Sequence, residues 1–451
     1  MNNDISSTEK EVYDGEGIAA KPEPPDKDQE QTQIVELKER MWTRGFLLLG
    51  QGQLVSLLGD AAYAIALGFW VLSVTGSTAL MGTLMASSTL PGLLVGPFAG
   101  VAVDRGDRRF IMVLMDVIRG LSVIFIGIEG FTGMLRVWMV FVSGIILSLC
   151  GAFFQPAVYS AIPDIVPESK IVNANSVFSM LSLGSTTIGN SAGGFLYQLL
   201  GAPFMFLFNG ISFIFSGISL IFVKVPQNSK KKEQHFSQNF CNDFKKGLSF
   251  VWNFKGLRYI FLMGTITNFF FGIVAVLLLP LFQKTANLGP AKYGIFMAVF
   301  MAGMFLGATV TSVFNLPPSK RMFLLTISLV FNNIALALIT VFQAFALILA
   351  LAMLAGIANS LVNVFMKSSM QFTVPKDMRG KVFSLRGTVK QGFAPLAMAI
   401  GGVLGEFLPI RVVISACCIM SLLISLAFMV RPQFKRFINY DPKAAKLQDI
   451  M

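Results

Sequence analysis

Three ionisable residues sit inside long apolar stretches of this 451-residue chain: Asp60, Asp116 and Arg119. A charge in hydrocarbon is costly, so each is by default a functional candidate. The chemistry open to a carboxylate there is to take a proton from one side of a membrane and release it to the other. Asp60 has no charged partner nearby in sequence and fits that role; a hydrogen bond to a neighbouring helix is the structural alternative. Asp116 and Arg119 lie three residues apart, share one helix face and can neutralise each other, which suits a structural ion pair as well as proton coupling. A second constellation, GPFAGVAVDRGDRRF, crowds Gly100, Asp104, Arg105, Arg108 and Arg109 at the end of an apolar run. Gly100 lets a helix end pack closely, and an acid among several cations can form an interhelical charge network that favours one state of a gate. Plain anchoring by positive charge explains the arginines but not the GxxxDR spacing.

Catalytic and metal chemistry find little support. The four cysteines (Cys150, Cys241, Cys417 and Cys418) lack CxxC or metal-ligand spacing, and the single histidine, His235, lies in a Lys-rich loop. Intramembrane transferases present clusters of His, Asp or Glu at the membrane surface; here the loop acids are scattered. The chain therefore reads as a non-enzyme without metal or cofactor. It has no GxxxxGK[ST] loop, hence no ATP motor of its own, and a proton gradient is the expected energy source.

The elements that must hold these residues follow from composition. Hydrophobic residues make up 54% of the chain and charged residues only 13%, about half the charge of a soluble domain. Lipid is the solvent that such a chain requires. About 20 apolar residues cross the roughly 30 Å hydrocarbon layer as a helix. Runs of that length occur at 45–74, 77–102, 109–130, 136–160, 172–198 and 204–224, and again at 257–281, 290–315, 320–341, 344–368, 382–405 and 410–430. The expected fold class is an all-α polytopic membrane protein with twelve transmembrane helices in two pseudo-symmetric six-helix halves, 41–224 and 257–430. A basic cytoplasmic linker, 225–256, joins them, and its DFKKGLSFVWNFKGLRYI segment reads as an amphipathic helix on the membrane surface. A tail follows at 431–451. The acidic segment 1–40 is too polar to form a core and is expected to be a disordered cytoplasmic tail, with no secretory signal pattern.

Lys and Arg crowd the loops after the even-numbered spans (Arg105, Arg108, Arg109, Lys170, Lys224, Lys245, Lys246, Lys320, Arg321, Lys376 and Arg379 among them), against Arg136, Lys284, Lys292 and Arg411 on the other side. The bias predicts a multi-pass protein with both termini in the cytoplasm. The net charge of +12 fits anionic lipid as a neighbour, with no need for nucleic acid. A short repeat supports the two halves: VPESKIVNANSVFSM from Val166 and VPKDMRGKVFSL from Val374 each lead into a span, and their VFS triplets lie 205 residues apart (382 − 177).

GVAVDRGDRR resembles the G-x-x-x-D-R-x-G-R-R loop signature of the major facilitator superfamily, with Asp107 in place of the second Gly, as in the macrolide-efflux branch of bacterial drug:proton antiporters. The counterpart GATVTSVFNLPPSKR keeps Gly307, Lys320 and Arg321 but lacks the Asp. GNSAGG, carrying Gly189, Asn190, Gly193 and Gly194, is similar to the G-P-x-x-G-G end of that superfamily's antiporter signature, with Asn190 for the proline. GFAPLAMAIGG offers Gly392, Pro395, Gly401 and Gly402 as a second-half analogue. AFFQPAVYSAIPDIVPESKIVNANSVFS and SLLGD resemble segments of macrolide-efflux-type exporters.

The resemblance covers about 40–430. It implies the major facilitator fold in a bacterial plasma (inner) membrane and proton-coupled efflux of bulky amphipathic, macrolide-like drugs by alternating access. A siderophore exporter and a lysophospholipid translocase are alternatives of the same fold, and a non-transporting sensor is the alternative of another class. Phe69, Trp70, Gln155, Asn268, Asn359 and Asn363 are the expected cavity residues, since aromatic surface with a few amides suits a small amphipathic substrate. Membrane lipids are the only other expected partners of a monomer.

Overall fold

The computed structural model describes residues 41–224, 236–313 and 317–440. The acidic segment 1–40, the first part of the central linker and the last eleven residues lie outside them. Every regular element among the described residues is a helix, as lipid demands of a chain that must satisfy its backbone internally.

Among the described residues, ten helices are long and apolar enough to cross a membrane. Span 1 is Arg44–Thr75, span 3 Arg108–Thr132 and span 4 Val137–Ile165. Span 2 is broken into Thr78–Ser87 and Leu90–Arg105, with Pro91 in the first turn of the second piece. One run, Ile171–Ile221, turns at Gly201, whose φ of 78° is left-handed and ends helical geometry there. Spans 5 and 6 are its two arms. Span 7 is Lys255–Lys284, span 8 Pro290–Val313, span 9 Pro318–Ile339, span 10 Phe345–Thr373 and span 12 Ile410–Met429. Span 11, Lys376–Phe407, is 32 residues long but stands outside the ten. Its first half carries Arg379, Lys381, Arg386 and Lys390, too polar a stretch to look like a crossing. The twelve-span count thus depends on counting the two arms at Gly201 separately and on admitting span 11.

Large apolar side chains cover the outside, among them Phe98, Leu121, Phe305, Phe323 and Phe407. In water such a surface would drive aggregation; in a membrane it is ordinary solvation. The chain is a multi-pass membrane protein. Its interior is divided. One apolar cluster joins Tyr63, Phe69 and Phe206 of the first half to Phe282, Tyr293 and Phe296 of the second. Two others stay within single halves, around Phe46, Phe154 and Ile162 in the first and around Phe254, Leu257 and Phe437 in the second. The halves therefore share a core only toward the end opposite the basic loops.

The linker contains a helix, Phe236–Asn253, which stops at Phe254 immediately before span 7. Val251 and Phe254 are buried against the second half, while Trp252 is exposed. The amphipathic segment is thus two helices meeting at Phe254. After span 12 a short helix, Pro432–Ile438, buries Phe434, Phe437 and Ile438. Asn439 Oδ1 accepts from the Met322 N–H (3.0 Å) and Arg321 donates to the Tyr440 carbonyl (3.2 Å). Residues 431–440 belong to the packed second half, where hydropathy alone placed a tail.

Candidate functional site: a central cavity, its closed end and a buried charge cluster

The end of the molecule away from the basic loops is closed by two helix crossings with the same local design. At one, Gly82 of span 2 meets Gly402 of span 11: a Cβ on Gly82 would lie 2.7 Å from the Gly402 Cα. At the other, a Cβ on Gly194 of span 5 would lie 3.0 Å from the Gly294 Cα of span 8. Small residues let helix backbones approach this closely. The preceding glycines complete the pattern, Gly193 packing on Ile65 of span 1 and Gly401 on Ile273 of span 7.

The next turn of each helix caps its partner. Glu406 Oε2 accepts from the N–H groups of Thr78 (2.7 Å) and Ala79 (3.2 Å) and from the hydroxyls of Ser77 (3.0 Å) and Thr78 (3.1 Å). Gln198 Oε1 accepts from the Ala291 N–H at 3.1 Å. Both oxygens fill helix N-termini that would otherwise carry unsatisfied donors. One offset of 208 relates Gly193 to Gly401, Gly194 to Gly402 and Gln198 to Glu406 (401 − 193, 402 − 194, 406 − 198), close to the 205 of the VFS repeat.

At the basic end the halves stand apart. Gly96 and Gly100 of span 2, Gly184 of span 5 and Gly387 of span 11 have nothing within 4 Å of an added Cβ. Gly100, expected to support close packing, faces open space in this conformation. Between the halves lies a cavity of about 700 Å³, within the range of sites for small molecules. The first half contributes Ala64, Ile65, Met85 and Asn190; the second supplies most of the wall. Asn268, Asn359 and Asn363 line it, together with Phe269, Phe270, Phe271, Asn332 and Asn333. Phe69 does not: it is fully buried, stacked on Tyr197 and edge-on to Tyr293, and helps fill the closed end. Trp70 packs against the shared core and Gln155 is exposed away from the cavity wall.

The buried pair Asp116–Arg119 and the half-buried Asp60 form a cluster inside the first half, off the cavity. Asp116 and Arg119 are ion-paired with side chains 0% and 6% exposed. The Arg119 guanidinium lies between the rings of Phe154 (4.2 Å) and Phe213 (4.3 Å). Asp116 Oδ2 and Arg119 Nε have no partner among the described residues. Asp60 accepts from Asn209 Nδ2 at 3.4 Å and lies within electrostatic range of Arg119. Asp60 is one helical turn from Ala64, which is on the cavity wall, so the cluster adjoins the cavity through a single turn of span 1. The hydrogen bond to a neighbouring helix and the proximity to a charge pair are thus both present.

In the basic loop Arg108 pairs with Asp164 and donates to the Ser160 carbonyl (3.0 Å), while Arg109 donates to the Ile221 carbonyl. Asp107 caps span 3 by accepting from the Phe110 N–H at 3.0 Å. Asp104 and Arg105 are exposed. These contacts tie spans 3, 4 and 6 within one half and do not cross to the other. In the GNSAGG segment, Gly189 packs on span 1 against Leu58 and Ala61, Gly194 joins the halves, and Asn190 faces the cavity.

Sequence reasoning passed over three polar residues that the fold makes prominent. Arg386 and Lys390 lie inside span 11 and on the cavity wall; they gave no signal of the kind that singled out Asp60, because the stretch around them is polar. Glu406 gave no such signal, because its partners are more than 300 residues away.

The family model described as Major Facilitator Superfamily matches residues 49–397. Among curated proteins, the chain is 25% identical over 377 residues to macrolide efflux protein A of Streptococcus pyogenes, covering 83% of this chain and 92% of that protein. It is 23% identical over 395 residues to the multidrug efflux pump Tap of Mycolicibacterium fortuitum, covering 86% and 96%. Among solved structures, a bacterial homologue of the iron transporter ferroportin in an inward-facing state aligns with a TM-score of 0.63 at 16% identity, covering 87% of this chain and all of that one. A bacterial homologue of the human lysosomal transporter Spinster, inward-facing and unoccupied, gives 0.62 at 16% identity, covering 88% and 95%.

Proposed function

Because the chain belongs to the Major Facilitator Superfamily, we propose that it is a proton-driven exporter of bulky amphipathic compounds that works by alternating access. The observation that carries the reading is the central cavity, walled by both halves, sealed at one end by the paired glycine crossings and unsealed at the other. With the basic loops in the cytoplasm, this is the state that receives cargo from inside a bacterial plasma membrane. Similarity to macrolide and multidrug efflux proteins supports export, and a largely aromatic and aliphatic wall suits amphipathic cargo.

Asp60 is the proton carrier in this scheme, and Asp116–Arg119 is the fixed charge pair that sets its electrostatic surroundings. Rocking of one half against the other breaks the Gly82–Gly402 and Gly194–Gly294 crossings and closes the basic end, and in this scheme Asp104 and Arg105 engage the second half once it closes. The protein works as a monomer and needs no resident cofactor.

The test is accumulation of a panel of amphipathic dyes and drugs in cells with and without the protein. Lower accumulation of some compounds, restored by a protonophore, is expected. Equal accumulation across the panel, or lowered accumulation that a protonophore leaves untouched, overturns proton-driven export. Ligand binding without flux in sealed vesicles would instead mark the sensor alternative.

A further inference from the structure

Among the described residues, Arg386 and Lys390 are the cations on the cavity wall, and no Asp or Glu lines it with them. Spaced four apart, they share one face of span 11. They lie ten and fourteen residues past Lys376, about 15 and 21 Å along an axis of about 48 Å at the α-helical rise, in the half of span 11 that leads toward the basic end; Arg386 is half-buried and Lys390 exposed. Neither forms an ion pair among the described residues. The one hydrogen bond of Arg386 is to a weak acceptor, Met370 Sδ, at 3.1 Å. Two cations with no carboxylate beside them give this wall of the cavity a positive potential that draws an anionic ligand.

We infer that the cavity is built for an amphipathic anion: a bulky, mostly apolar molecule bearing a carboxylate, sulfonate or phosphate, bound by Arg386 and Lys390. The asparagines add a second requirement. Asn268 and Asn333 each give one N–H to a carbonyl, of Gly264 (2.6 Å) and Leu329 (2.9 Å), and keep their Oδ1 atoms to accept. Asn332 Oδ1 is buried on the cavity wall with no partner among the described residues. Acceptors of this kind suit a ligand that also carries hydroxyl or amide donors. Amine-bearing cationic drugs, the usual form of macrolides, are the disfavoured class. The inference rests on the cavity being the cargo site of the proposed exporter and narrows the chemistry of that cargo.

Three probes sharing one pyrene body separate charge from bulk: 1-pyrenebutyrate, 1-pyrenebutanol and pyrenebutyl-trimethylammonium. Binding is read by fluorescence with the full-length protein in phosphatidylcholine nanodiscs, with empty discs as the blank. The butyrate should bind tightest, and R386Q combined with K390Q should weaken it by about tenfold or more while leaving the butanol within about twofold. R386K combined with K390R should restore most of the loss, which a merely misfolded protein would not do. Lysophosphatidylglycerol as competitor identifies the source of the anion: displacement of the butyrate points to membrane-derived cargo, and persistence of the butyrate to soluble carboxylates. Equal affinity for butyrate and ammonium probes, or a butyrate affinity unmoved in the glutamine variant, overturns the inference. If that happens while cell accumulation remains protonophore-sensitive, the exporter reading stands and only the anionic cargo falls.

Discussion

Asp60, half-buried, differs from the buried charges beside it in what it can exchange. Asp116 and Arg119 hold each other in a site closed by two aromatic rings, and a cation over desolvated rings gains about 2 kcal/mol or more. Asp60 has only a long bond from a neutral amide and a position one turn from the cavity. Asp60→Asn should therefore abolish pH-gradient-driven flux in proteoliposomes while expression and thermal stability stay near wild type; flux at the wild-type rate removes Asp60 from the mechanism. Arg119→Ala should act differently, leaving Asp116 buried without its counter-charge and costing about 3–5 kcal/mol of stability. A thermal unfolding series in detergent would see this, and the apolar double substitution Asp116→Leu with Arg119→Met should recover most of it. An Arg119→Ala protein as heat-stable as the parent would show that the pair is not structural.

At the scale of elements, the closed end depends on a helix pair whose caps differ in one atom type. Glu406 and Gln198 occupy equivalent places, one charged and one neutral. Glu406→Gln should therefore keep the cap, because Gln198 already does the same work with an amide oxygen. Glu406→Ala removes the carboxylate that accepts from Ser77, Thr78 and Ala79, leaving across this crossing the bond from the Thr78 hydroxyl to the Gly402 carbonyl (2.9 Å), and should shift the population toward the state open at that end. Labelling of a cysteine placed at Ala79 by a membrane-impermeant maleimide measures the shift, and equal labelling in the Ala and Gln variants contradicts it. Gly402→Val acts on the same crossing by bulk, since a Cβ there would already lie 2.8 Å from the Gly82 Cα. The expected result is flux close to background in protein that still folds.

For the whole molecule, alternating access requires the closed end to open once per cycle. Ser77 Oγ and Glu406 Oε2 are 3.0 Å apart across the two halves, so cysteines at both positions fall within reach of a short bis-methanethiosulfonate, which joins them through two reducible disulfides. Cross-linking Ser77→Cys to Glu406→Cys should stop transport, and reduction of the cross-link should restore it. Transport that continues at full rate in the cross-linked protein would mean that the two halves do not part at this crossing.

How much of this was readable along the chain depends on the range of the interaction involved. Lipid as solvent, helices as the only elements, the approximate limits of the long apolar runs and the basic bias of one set of loops are local properties, because hydropathy over about 20 residues decides whether a segment can leave water. The glycine motifs were legible as well, although their partners were not. What required the tertiary structure was the choice of neighbour for each helix face. Packing alone put Phe69 into the sealed end, drew Asp60 toward Asn209, paired Arg108 with an acid 56 residues away and set Glu406 on a helix start 328 residues distant. It also turned Arg386 and Lys390 toward the cavity. A helical period fixes which residues share a face, but only the packed bundle decides whether that face meets lipid, another helix or cargo.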